Sequence, residues 1–204
     1  VLESGANART SLSQSGLFLL AETSIILPIM LSSISIGQEG KSISNLYMLP
    51  ISTKELVNGK LFLSWIISGV GILGIALLLQ FIAPLAVLQF SAVLVTVFFN
   101  VLTQGYIGLG AGLRYPNFTI GPRARYLTFT GFTIALLMGL LATVGVFAPV
   151  IVYQAGYWGT LGLGSYGSAA ATIALTAMLG TILLVLARYY CLQGVKRLFS
   201  NMEA

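Results

Sequence analysis

The sequence predicts an all-α integral membrane protein, with about five membrane-spanning helices and no soluble domain. Three observations lead there. Of 204 residues, 57% are apolar and only 7% are charged, and the mean hydropathy is +0.95. A soluble domain carries roughly 25% charged residues, whereas a lipid-facing surface needs none. Five apolar stretches each hold about the 20 residues that cross a bilayer core as a helix. The Lys and Arg between them alternate in a way that assigns every connecting segment to one side or the other.

The spans fall at residues 16–36, 61–81, 85–107, 130–153 and 169–190, forming one transmembrane domain. The first contains Pro28, which removes a backbone donor and is expected to kink the helix. The Ala83-Pro84 pair leaves only a tight turn between the second and third, since Pro starts helices but does not continue them. The third ends in Gly105, Gly108, Gly110 and Gly112. Gly108-x-x-x-Gly112 reads as close helix packing; a dinucleotide fingerprint would need a strand–helix unit that is not present in this pattern. A Gly-rich, uncharged segment separates the fourth and fifth spans.

Charge gives the orientation. Residues 37–60 carry three Lys, residues 113–125 carry three Arg, and Arg188, Lys196 and Arg197 lie at the C-terminal end. These are nine of the ten cations; Arg9 alone falls on the other side. The positive-inside rule makes the basic side cytoplasmic. The expected placement is a cell (plasma) membrane, with the N-terminus of this chain outside and its C-terminus inside.

The chain has no His, and its five acidic residues are all Glu. That argues against a membrane enzyme: imidazole bases, Asp-containing triads and most metal sites are excluded together. No catalytic residue, cofactor, metal or nucleic-acid partner is expected. Cys191 is the single cysteine, so no internal disulfide forms. Gly40-Lys41-Ser42 imitates the end of a phosphate-binding loop, but that motif needs a Gly at position 35, where Ser35 stands, and a preceding strand. Glu22 lies inside the first span, nearer its outer end. A carboxylate there faces protein, water or the interface. Its readings are a hydrogen bond to neighbouring helices, snorkelling outward, or contact with a substrate path.

The segment between the first two spans is the most informative. Ile43, Leu46 and Tyr47 follow helical spacing, which predicts a short amphipathic turn or two before Pro50. Ser52-Thr-Lys-Glu55 is a capping box, in which the Ser52 hydroxyl bonds the Glu55 N–H and the Glu55 side chain reaches back. A helix is therefore expected to start at Thr53 and run into the second span. Leu46, Leu49, Pro50 and Ile51 are apolar, and Glu39, Lys41, Lys54 and Glu55 bracket them with both signs of charge. That suits an apolar plug with a polar rim on a protein partner. Surface helices on membranes favour Lys and Arg over mixed signs. The alternative is an interfacial elbow that only redirects the chain.

Glu39-Gly40-Lys41, Leu46, Leu49-Pro50-Ile51-Ser52, Lys54-Glu55-Leu56 and Gly59-Lys60 together resemble a segment of the permease subunits of type-2 ATP-binding-cassette (ABC) transporters. Tyr115-Pro116-Asn117-Phe118, after the third span, resembles a second feature of that family. The resemblance covers residues 30–140 and matches a C-terminal part of a longer permease. It implies that residues 39–60 contact separate ATPase subunits, that short helices there turn ATPase closure into rocking of the membrane helices, and that a second permease half or copy completes the transporter. The competing readings are a non-transporting structural subunit of a larger membrane complex, and a secondary transporter, for which one intramembrane carboxylate is thin support.

Overall fold

A computed structural model describes residues 2–37, 52–82, 84–116, 127–154, 162 and 164–203. Among these the chain is all-α. The helices are α1 (Leu2–Gly37), α2 (Thr53–Ile82), α3 (Val87–Arg114), α4 (Phe129–Gln154) and α5 (Ser165–Glu203). Each contains a stretch long and apolar enough to cross a membrane: Ser15–Ile36, Lys54–Ile82, Val87–Arg114, Phe129–Gln154 and Tyr166–Leu198. The five expected spans are therefore present. They are extended at several ends, because a helix does not stop where its sequence ceases to be apolar. The 39 residues of α5 run about 58 Å at 1.5 Å per residue, well beyond a hydrocarbon core of about 30 Å. Helix α1 continues through Pro28 without interruption.

Helix directions follow from which residues meet. Ser24 of α1 touches Asn100 of α3, and Ser33 lies against Gly112, so α1 and α3 run parallel. Phe99 meets Gly180, and Gly110 meets Tyr190 and Cys191, so α5 runs parallel to α3 as well. Thr143 of α4 meets Asn100, while Gly131 meets Tyr115, so α4 is antiparallel. Helix α2 lies antiparallel to α1, with Leu79 beside Gly16 and Ser64 donating to the Pro28 carbonyl at 3.4 Å. The chain thus crosses up and down in strict alternation. Lys54, Lys60, Arg114, Lys196 and Arg197 gather at one end of the bundle, called the basic end below.

Helix α3 is the axis, and all four others pack against it. Its glycines explain how they come so close. A Cβ on Gly112 would lie 2.7 Å from the Ser33 carbonyl oxygen, and one on Gly108 would strike the Ile29 backbone and the Ser32 hydroxyl. The Gly108-x-x-x-Gly112 pair is where the α1 backbone rests, as its spacing predicts. Apolar side chains fill two interior clusters and also cover the outer surface, and polar side chains are drawn inward among them. Phe62, Leu63, Ile66, Val70, Leu77 and Phe81 of α2 are exposed, whereas Ser, Thr, Asn and Gln are buried. Lipid tails are as apolar as leucine, so burying leucine gains little, and every polar group left in lipid costs several kcal/mol.

Two connections are tied. Gln80 closes the turn between α2 and α3: its Nε2 donates to the Leu85 carbonyl at 2.9 Å, and its Oε1 accepts from the Leu85 N–H at 3.0 Å. The residues flanking 117–126 meet in an isolated bridge between Pro116 and Leu127, with the Thr128 N–H donating to the Tyr115 carbonyl at 3.2 Å.

Candidate coupling segment and intramembrane polar cluster

Two places bear on function. The first is the start of α2. Glu39, Gly40, Lys41, Leu46, Leu49, Pro50 and Ile51 lie outside the described residues. Ser52, Lys54 and Glu55 lie within them, exposed at the basic end. The capping box is formed in both directions. The Ser52 N–H and hydroxyl donate to Glu55 Oε2 at 2.9 and 2.7 Å, and the Glu55 N–H donates to Ser52 Oγ at 3.3 Å. The Leu56 N–H reaches the Ser52 carbonyl at 3.1 Å, closing the first turn. This arrangement satisfies donors that every helix start leaves orphaned, and it sets a carboxylate where the helix dipole favours one. Helix α2 therefore begins at Thr53, where the motif predicts it.

Glu22 is exposed on the outer surface of α1. Its neighbour two residues on, Ser24, is the one turned into the bundle, fully buried. The structure thus does not bring Glu22 together with the interior polar groups.

Those groups form the second place. Ser24, Asn100, Gln104 and Thr143, from α1, α3 and α4, meet near the middle of their spans. Asn100 Nδ2 donates to Ser24 Oγ at 2.7 Å, and the Thr143 hydroxyl donates to Asn100 Oδ1 at 3.0 Å. Gln104 Nε2 faces three acceptors: Asn100 Oδ1 at 3.1 Å, the Gly139 carbonyl at 2.9 Å and Thr143 Oγ1 at 2.8 Å. An amide has two hydrogens for these three. Its own Oε1 is buried with no partner among the described residues, and it lies 2.7 Å from where a Gly139 Cβ would sit. Other buried hydroxyls bond their own helix, as Thr96 does to the Ala92 carbonyl and Thr172 to the Ser168 carbonyl. Asn100 and Gln104 cannot be satisfied that way, so they bind across helices. Chemically the cluster is uncharged. It can hold three helices in register or present oxygens to a hydrogen-bond donor.

In the sequence these four residues carry no charge and no motif of their own. The available signal was two amides spaced i, i+4 inside an apolar span, in phase with Gly108; that spacing puts both on one helix face. A comparison of the chain with known proteins finds no matching family model, no matching curated protein and no matching solved structure. What fold and site define together is a multi-pass helical membrane protein.

Proposed function

We propose that the chain is a membrane-spanning permease subunit of an ATP-driven transporter of the type-2 ABC class, working with separate ATPase subunits. One observation carries the reading. The Leu49-Pro50-Ile51-Ser52…Glu55 string that resembles the family's ATPase-contacting segment ends in a reciprocal cap that anchors a membrane helix. A push on that segment would be passed to α2 without first melting a frayed helix end. In this reading the basic end faces the cytoplasm of a cell (plasma) membrane, the chain performs no hydrolysis itself, and a second permease half or copy completes the pathway. The test is the double substitution of Leu46 and Leu49 by Asp. Insertion should persist, while co-purification of the ATPase and ATP-dependent transport are lost. Normal binding and transport by that variant would reject the reading.

A structural-subunit reading has its own supporting observation. Around Gln104 the bundle interior is closed by Gly139, Ile25 and Ile29, a packing that suits a fixed part as well as a moving one. ATPase recruitment separates the two.

A further inference from the structure

Among the described residues, the basic end of the seam between α3 and α5 holds a cation without an anion. Arg114 closes α3. Its guanidinium lies over the Tyr190 ring, 4.0 Å from the centroid. Its Nη2 donates to the Tyr190 carbonyl at 3.3 Å and to Gln193 Oε1 at 3.2 Å. The seam is shaped for this stack by Gly110. A Cβ there would lie 2.6 Å from the Tyr190 ring. The missing side chain lets the ring lie flat between the helices.

The guanidinium has donors to spare. It carries five N–H groups, and the two bonds above use one nitrogen. Its Nε is buried with no partner among the described residues. The chain is also short of carboxylates that could serve it. Of its five Glu, Glu3 precedes the Ser15–Ile36 span, Glu22 belongs to the half of that span away from the basic end, and Glu55 is held by Ser52. Among the described residues that leaves Glu203 as the remaining carboxylate against Lys54, Lys60, Arg114, Arg188, Lys196 and Arg197.

The level of Arg114 says what meets it. The 28 residues of α3 span about 42 Å, more than the hydrocarbon core but close to the thickness that includes the headgroups. A guanidinium at its last residue stands among phosphates. Its planar fork matches two phosphate oxygens, and stacking on an aromatic ring fixes it in advance.

We propose that Arg114, held on Tyr190, binds the phosphate of an anionic phospholipid at the basic end of the α3–α5 seam. The site is independent of the transport reading and stands whether or not an ATPase docks. Purified full-length chain in neutral detergent is titrated with short-chain phosphatidylglycerol, phosphatidylcholine or inorganic phosphate, and bound species are counted by native mass spectrometry. Phosphatidylglycerol should bind more tightly than phosphatidylcholine. Arg114→Gln should weaken it about fivefold, the loss expected of one cation near an anionic surface. Lys54→Gln, which removes an exposed cation at the same end, should change it less than about twofold. Equal affinity in the wild type and Arg114→Gln overturns the proposal. So does inorganic phosphate displacing the lipid at equal concentration, which would mark a free-anion site. Should Arg114→Gln fail to fold, Arg114→Lys decides: it keeps the charge but loses the fork, and unchanged affinity overturns the proposal.

Discussion

Gln104 Nε2 donates to Thr143 Oγ1 across 2.8 Å, joining α3 to α4 in the middle of the bundle, while Gln104 Oε1 accepts nothing among the described residues. The bond is made in the buried interior of the bundle. Its unsatisfied companion oxygen offsets part of its stabilisation. A double-mutant cycle with Gln104→Leu and Thr143→Val should therefore give a coupling of about 0.6 kcal/mol and not above about 1.7 kcal/mol. Unfolding from mixed micelles, followed by circular dichroism, measures it. A coupling indistinguishable from zero would mean that the cluster does not hold these helices.

The glycines make a sharper contrast. Gly108→Ala forces a Cβ onto the Ile29 backbone, whereas Gly71 on the lipid face of α2 has nothing within 4 Å. Overpacking at Gly108 should destabilise the bundle by about 1–3 kcal/mol. Gly71→Ala should be neutral or stabilising by up to about 1 kcal/mol, the helix propensity of Ala over Gly. The same unfolding assay reads both, and equal effects would contradict the close approach of α1 to α3.

The cap at Ser52 links stability to the proposed coupling. Ser52→Ala should cost about 1 kcal/mol at the start of α2, and Ser52→Thr should restore most of it, because Thr keeps a hydroxyl that can both donate to the Glu55 carboxylate and accept from the Glu55 N–H. In the transport reading, ATP-driven transport falls in the first variant and recovers in the second, with membrane insertion unchanged throughout. Transport unaffected by Ser52→Ala would show that the departure point of α2 does not transmit force.

The alternation of helices predicts sidedness. In a Cys191→Ala background, cysteine at Ser52 should react with an impermeant thiol reagent only from the basic side, and cysteine at Ser165 only from the other. In cells the basic side should be the cytoplasm. Labelling of both from one side would break the five-span arrangement.

The architecture was legible because lipid imposes a coarse rule: about 20 apolar residues per crossing, with cations on one side. Gly108 and Gly112 and the Ser52–Glu55 cap were legible too, since both motifs act within a turn or two of helix. The polar cluster was not read out. Hydropathy averages Asn100 and Gln104 away among their apolar neighbours, and their partners Ser24 and Thr143 lie 76 and 39 residues away in sequence. Glu22 drew notice by its charge, yet it faces outward; a charge marks a costly residue without saying which way its helix turns. Arg114 read only as one more positive residue, because its stack on Tyr190 depends on the register of two parallel helices.

The Gln80 clamp bears on how the protein reaches the membrane. A primary amide that pairs with both the N–H and the carbonyl of Leu85 imitates a peptide unit. It leaves that residue of the turn with no demand for water. Helices α2 and α3 can therefore enter the bilayer together, as a hairpin with its tip leading, during synthesis on the ribosome. Without the Gln80 amide the tip would carry two bare backbone groups of Leu85 across the hydrocarbon, each costing several kcal/mol in transit. That penalty falls on delivery, before any of the final packing exists to offset it.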